Sequence, residues 1–279
     1  MNISFHDENK PVFYIVAQDG KPAFAYIGET TDTDNPDFPE TDTLHVNCKL
    51  YKNNVYKELL HVEKDTFFSD NYRDTDLLFN NGIKYASNEI LENSNEYTFT
   101  LKYKNYSEIT VSSSIPEATN IDTLFILPNV ASSHEGYFIQ HQITLNFVAS
   151  ANTHVHYYSN VFIKYTDTLV TQNSYGFSGK DIIFKDADIE RGTENSMTFT
   201  FSSVAENGNF IPYVYLFSIS DSYYASLIKK TAHEEYTENS GFFDPKPLYI
   251  PYSMVPDAFV NIYAFSFSID SCNIVNITP

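Results

Sequence analysis

The sequence predicts an all-β fold of two sandwich domains, Ig-like or transthyretin-like. Three observations carry this: apolar and polar residues alternate over short runs, turn-forming residues recur between the runs, and aromatic content is 16%, with 22 Tyr, 23 Phe and no Trp. Alternation sends successive side chains to opposite faces of a strand, so each run reads as a strand with one buried face. Tyr and Phe suit such pleated, half-buried surfaces. At 279 residues the chain is long enough to bury two cores of ordinary size.

In chain order, the first strands are Val12 to Ala17 and Ala23 to Ile27, separated by the turn Gln18-Asp19-Gly20. Thr30 to Thr43 is an acidic loop punctuated by proline. Leu44, Val46, Cys48 and Leu50 then alternate with His45, Asn47, Lys49 and Tyr51, and after the turn Asn80-Asn81-Gly82 the pattern returns in Tyr97, Phe99, Leu101 and Tyr103. Ile109 to Ser113 is the next strand. Beyond it, Ser114 to Asn120 is a polar stretch containing Pro116, and this predicts a boundary between domains at 1–117 and 118–279.

The second domain opens with Thr123 to Leu127 and continues with Ile143, Leu145 and Phe147 alternating with Thr144 and Asn146. His154 to Tyr165, Met197 to Ser203 and Tyr213 to Ser220 follow, and the last strand is Ile262 to Asp270. There Tyr263, Phe265, Phe267 and Ile269 share one face while Ala264, Ser266 and Ser268 share the other. Many short strands at this spacing suggest sandwiches.

One helix interrupts the β pattern, near 221–236. Ser220 or Asp221 can cap its first turn by accepting unpaired amide N–H groups. Tyr224, Leu227, Ile228, Thr231 and Ala232 recur at the spacing of one helical face. Lys229, Lys230 and His233 lie toward the end that favours positive charge, and Gly241 with Pro245 stops the element.

A net charge of −19, spread along the chain, repels a phosphate backbone and argues against nucleic-acid binding. It also disfavours docking on anionic lipid, and no run of about 18 apolar residues is present to span a bilayer. The opening MNISFHDENKPVFY has neither a basic n-region nor an apolar h-region, so either the protein is cytosolic or a signal was trimmed before this numbering begins. Cys48 and Cys272 read as small buried hydrophobes, a disulfide between them being the alternative.

Candidate chemistry is sparse. His154 and His156 share a strand face, a geometry that suits a metal, but no Cys or carboxylate accompanies them at a recognised spacing, so no metal site is assigned. His134 and His141 lie nearby in sequence. Asp32, Asp34, Asn35, Asp37, Glu40 and Asp42 supply oxygen ligands of the kind calcium takes, yet the loop lacks the glycine and terminal glutamate of an EF-hand and reads as a solvated acidic loop. Nothing matches G-x-S-x-G, H-E-x-x-H or a phosphate loop. The adjacent Glu234 and Glu235 point in different directions on a helix and cannot form a glycosidase pair. No catalytic residue and no cofactor is assigned, and a hydrolase built from dispersed residues is the minority reading.

The segment Val214-Tyr215-Leu216-Phe217-Ser218-Ile219-Ser220-Asp221-Ser222-Tyr223-Tyr224, followed by a short helix and by Phe243-Asp244-Pro245-Lys246-Pro247-Leu248-Tyr249, resembles the C-terminal region of the family called domain of unknown function 4249. Glu96 to Leu101, Thr110 to Pro116 and Tyr157-Tyr158 are similar to further features of that family in the same order. Ala149-Ser150-Ala151-Asn152 stands where the family has an aspartate-proline turn. The resemblance implies a cell-envelope lipoprotein of Bacteroidota, displayed at the outer-membrane surface by a lipid anchor absent from this chain. It implies a non-catalytic role, binding a partner protein or nutrient as an accessory to an outer-membrane transporter. The alternative is a carbohydrate-binding or adhesive module that stacks glycan on exposed Tyr249 and Tyr252.

Overall fold

The computed structural model describes residues 11–29, 46–62, 83–132, 138–165, 175–177, 182–204, 209–229, 259–272 and 275–276. Among these the chain is all-β with one α-helix. The strands of the first half are β1 (Pro11–Gln18), β2 (Pro22–Glu29), β3 (Val46–Lys52), β4 (Val55–Leu59), β5 (His61–Val62), β6 (Ile83–Ile90), β7 (Glu96–Tyr103) and β8 (Ile109–Ser114). The second half holds β9 (Ile121–Ser132), β10 (Phe138–Val148), β11 (His156–Tyr165), β12 (Tyr175–Phe177), β13 (Ile182–Ile183), β14 (Glu194–Val204), β15 (Asn209–Ile219), β16 (Phe259–Ser271) and β17 (Val275–Asn276). Helix α1 begins at 221 and is described to 229; the rest of the expected 221–236 helix, with Thr231 and Ala232, lies outside the described residues.

The chain divides into two compact units, one of Met1–Ile115 with Ser222–Ala264 and one of Pro116–Asp221 with Phe265–Pro279. The division at 115/116 stands beside the expected 117/118, and the helix from Ser222 onward groups with the first unit rather than the second. Residues of β16 belong to both.

In the first unit, the order β16-β1-β2-β6-β5 forms one sheet and β4-β3-β7-β8 the other. Their inner faces meet in one core that includes Phe13, Ile15, Ala25 and Ile262 from one sheet and Cys48, Leu50, Phe99 and Leu101 from the other. Alternation in β7 is complete: Tyr97, Phe99, Leu101 and Tyr103 are buried and the residues between them are not. β1 has no such alternation because both its faces are covered from Pro11 to Ile15. On its outer face Tyr14 stacks on Tyr263 with ring centroids 6.0 Å apart, and Tyr223 of α1 meets the same Tyr263 edge-on at 4.8 Å.

The buried side of α1 is Tyr223, Ser226 and Leu227, whereas Tyr224 is half-buried and Ile228 exposed. The helix is therefore rotated by about one position from the expected stripe. The cause is polar: the Ser222 hydroxyl donates to the Ile262 carbonyl at 2.7 Å, and Ser226 bonds the Tyr263 hydroxyl at 3.3 Å. These contacts need the serines turned inward, and the tyrosine and leucine beside them turn with them.

The second unit sets the order β12-β11-β15-β16, with β13 on β11 and β17 on β15, against a sheet ordered β14-β10-β9. Ile143, Leu145, Phe147, Phe199 and Phe201 from one sheet pack on Tyr157, Val161, Ile163, Val214 and Leu216 from the other. In β16 the inward residues are Val260, Ile262, Ala264 and Ser266, and the aromatic set occupies the opposite face. That face is built as a ladder in which Phe217 stacks on Tyr158 at 4.2 Å and contacts Phe265 and Phe267.

A polar network is buried in this unit. The Thr119 N–H donates to the Ser218 hydroxyl at 3.2 Å, the Thr119 hydroxyl donates to the Tyr157 hydroxyl at 3.3 Å, and Ser268 donates to the Thr119 carbonyl at 2.6 Å. The Ser150 N–H adds a 2.7 Å bond to the Tyr157 hydroxyl. Because a buried donor that loses its acceptor costs about 1–3 kcal/mol, Ser218→Ala should lower stability by about that amount, read as a lower urea midpoint with an unchanged slope.

His141 is buried between Phe201 and Phe210, at ring-centroid distances of 5.1 and 5.0 Å, and burial pushes its pKa down from 6.5 to about 4. Between those two pH values the unfolded chain binds a proton that the folded chain does not, so the contribution is complete above 6.5 and is lost as pH falls toward 4. The loss amounts to about 3 kcal/mol. His141→Phe should flatten the fall in stability between pH 7 and pH 4 relative to wild type, as measured by urea unfolding at each pH.

Candidate functional site

The titratable groups that converge in the second unit are brought together by the loops around β11. The turn from β10 to β11 is wound tight by local bonds: the Asn152 N–H donates to the Ser150 hydroxyl at 3.1 Å and the His154 N–H to Asn152 Oδ1 at 2.9 Å. Asp186 lies on a short 3-10 turn, Asp186–Asp188. Arg191 is carried by the turn before β14, where Gly192 takes φ +73°, a conformation that favours glycine, and its N–H reaches the Ala149 carbonyl at 2.8 Å. Buried Asn195 shapes that turn, accepting the Glu190 N–H at 2.8 Å and donating to the Glu190 and Thr193 carbonyls at 2.9 Å each. Asp221 is the first residue of α1, so Ser220 holds the capping position.

At the centre is His156, buried to 7% exposure. Its Nε2 lies 2.7 Å from Asp221 Oδ1 and its Nδ1 lies 2.8 Å from Asp186 Oδ1. His154, itself exposed, places Nδ1 3.0 Å from the other Asp221 oxygen. Arg191 bonds Asp186 Oδ1 at 3.3 Å and the Asn152 carbonyl at 2.9 Å, and it also donates to the Val155 carbonyl. Burial alone would raise the Asp221 carboxyl, but the bonds from His154 and His156 and their charges outweigh it and hold the group below its ordinary value.

This arrangement is a clamp. Both nitrogens of His156 face carboxylate oxygens, so both are engaged inside the cluster. His154 and His156, singled out in the sequence as a pair, are together here with carboxylates that lie 30 and 65 residues from His156. No group of three or more His, Cys, Asp or Glu residues with metal-holding geometry occurs among the described residues.

The remaining candidates separate. His141 is in the core. Tyr249, Tyr252, His134, the acidic loop at 32–42, Glu234 and Glu235 lie outside the described residues. Cys48 and Cys272 are free thiols, each in a different unit; burial pushes Cys48 up to about 12, and burial together with Asp270 pushes Cys272 up to about 11.

Two surfaces that sequence reasoning did not single out carry exposed apolar residues. The first is β4, the edge of its sheet among the described residues, with Val55, Tyr56 and Leu59 exposed. Asn53 and Asn54, at φ 49° and 64°, form the two-residue turn that delivers it. Glu58 fixes the strand: its carboxylate accepts the N–H groups of Asn88 and Glu89 at 2.8 and 2.7 Å and the Asn88 side-chain amide at 2.9 Å. The second surface is the outer face of β14-β10-β9. Cross-strand register aligns three rungs there, Thr123–Asn146–Ser196, Phe125–Thr144–Thr198 and Leu127–Gln142–Thr200. Alternating positions Ile143, Leu145, Phe147 and Phe199 point into the core, which turns these nine outward.

The chain matches no family model and no curated protein. Among solved structures, trypsin-activated alpha-2-macroglobulin from Escherichia coli is similar over 80% of this chain at 8% identity, with a TM-score of 0.26; the chain spans 15% of that protein's length.

Asp221→Asn removes the charge that both histidines share. Hydrogen exchange should quicken at amides 152–156 and 186–191, the segments the clamp ties down, while exchange in β7 stays unchanged.

Proposed function

We propose that this protein is a non-catalytic binding protein of the cell envelope that docks on a partner protein, an outer-membrane transporter, and stands on the membrane surface through a lipid anchor outside this chain. The envelope setting rests on the resemblance of Val214 to Tyr224 and of Phe243 to Tyr249 to the domain of unknown function 4249 family. The observation that carries the binding role is β4. An edge strand offers unpaired backbone N–H and C=O groups, and natural proteins usually blunt such edges. Here Lys57 and Glu58 are turned to partners on β6, Glu89 and Asn88, while the strand displays Val55, Tyr56 and Leu59 at 61%, 53% and 49% exposure. An edge with apolar side chains is what strand addition by a partner requires: backbone bonds supply affinity, and alternate side chains supply selection. The clamp around His156 has a structural part in this reading, since it fixes loops and engages both ring nitrogens of His156.

Pull-down from solubilised envelope with the tagged chain should recover an integral outer-membrane transporter. The double variant Val55→Glu, Tyr56→Lys should recover at least tenfold less while keeping the wild-type melting temperature. Recovery of nothing above background by the wild-type chain sinks the proposal, as does undiminished recovery by the variant.

A further inference from the structure

We infer that the outer face of β14-β10-β9 is a binding site for a neutral polysaccharide. The three rungs on that face contain no charged residue, on a chain whose net charge is −19. Seven of the nine positions carry a hydroxyl or a carboxamide: Gln142 and the threonine and serine hydroxyls each donate and accept, and Asn146 offers its amide N–H groups, its Oδ1 being buried. The array is also preorganised. Thr144 and Thr198 share a hydroxyl–hydroxyl bond of 2.8 Å, and the Asn146 amide donates to the Thr123 hydroxyl at 2.7 Å. Side chains held by one bond to a neighbour keep their remaining donors and acceptors directed without further ordering when a ligand arrives.

One margin of the array is apolar. Phe125 is 62% exposed and Leu127 57%, two residues apart on the same face of edge strand β9. An exposed ring beside a flat field of hydroxyl and amide groups matches the two surfaces of a pyranose, an apolar C–H face and a rim of hydroxyls. Charge selects among polymers: an anionic chain meets the field of an acidic protein, whereas a neutral one does not. Pro128 follows Leu127 and supplies no N–H, and the pairing of β9 with β10 breaks between Leu127 and Ala131. A strand added at this edge would thus be interrupted beyond Leu127, which favours a ligand on the face over a protein strand at the edge. The site is in the second unit and stands independently of the docking edge proposed on β4.

Affinity electrophoresis of the purified chain in native gels tests this, with dextran, a mixed-linkage β-glucan or galactomannan as neutral probes and alginate as the anionic one. At least one neutral probe should retard the protein and alginate should not. Phe125→Ala and the isosteric Thr144→Val should each weaken that retardation at least tenfold, with melting temperatures within a few degrees of wild type. The inference is overturned if no neutral probe retards the chain, if alginate retards it equally, or if neither variant changes binding. It is overturned as well if sedimentation shows a dimer that Phe125→Ala dissociates, since a second copy would then cover the face. A blank gel beside a successful pull-down removes the polysaccharide alone and leaves the partner-binding role standing.

Discussion

The second unit depends on what happens to the backbone of Thr119. The chain enters that unit at Pro116, and the polar groups of Thr119 are carried inward just before β9 begins. A peptide taken out of water must find partners, and here they are hydroxyl groups: Ser218 from β15, Ser268 from β16 and Tyr157 from β11. One residue of the connecting segment is thereby tied to three strands of the opposing sheet. The serines are small enough to leave room for it, and Ser218 and Ser268 interrupt the apolar runs of β15 and β16 where they bond it.

Much of the fold was legible because burial in these sheets is mostly one-sided. Where a strand has one covered face, as in β3, β7 and β10, alternation identifies both the strand and its core residues. Where both faces are covered, periodicity loses its meaning. β1 has almost no polar residue to mark an outer face, and β16 buries Val260, Ile262 and Ala264 on one side and Phe265 on the other, so hydropathy alone does not identify its core side. In the helix Leu227 is buried as expected, and the phase departs at Tyr224 and Ile228. Hydropathy placed Tyr224 and Ile228 inward, whereas the hydrogen bonds of Ser222 and Ser226 selected the adjacent stripe.

The clamp was half legible. His154 and His156 were visible as a same-face pair, but their carboxylate partners come from a 3-10 turn and from the start of a helix, positions that no local spacing connects to β11. The uncharged array was legible in principle: Thr123, Phe125 and Leu127, Gln142, Thr144 and Asn146, and Ser196, Thr198 and Thr200 are each alternate positions of a strand. What sequence could not supply was register. Only pairing turns three separate polar stripes into one field.

The strand β16 has a consequence for how the protein is made. Its residues up to Ala264 complete the first unit and those from Phe265 belong to the second, while β1, its neighbour in the sheet, is made long before it. During synthesis the N-terminal unit therefore cannot close behind the ribosome as a finished domain. It must wait, with β1 lacking its neighbour, until β16 has emerged. A nascent chain in that state leaves β1 without its neighbour until β16 is made, and it has a standing need for whatever holds unpaired strands apart in the interval.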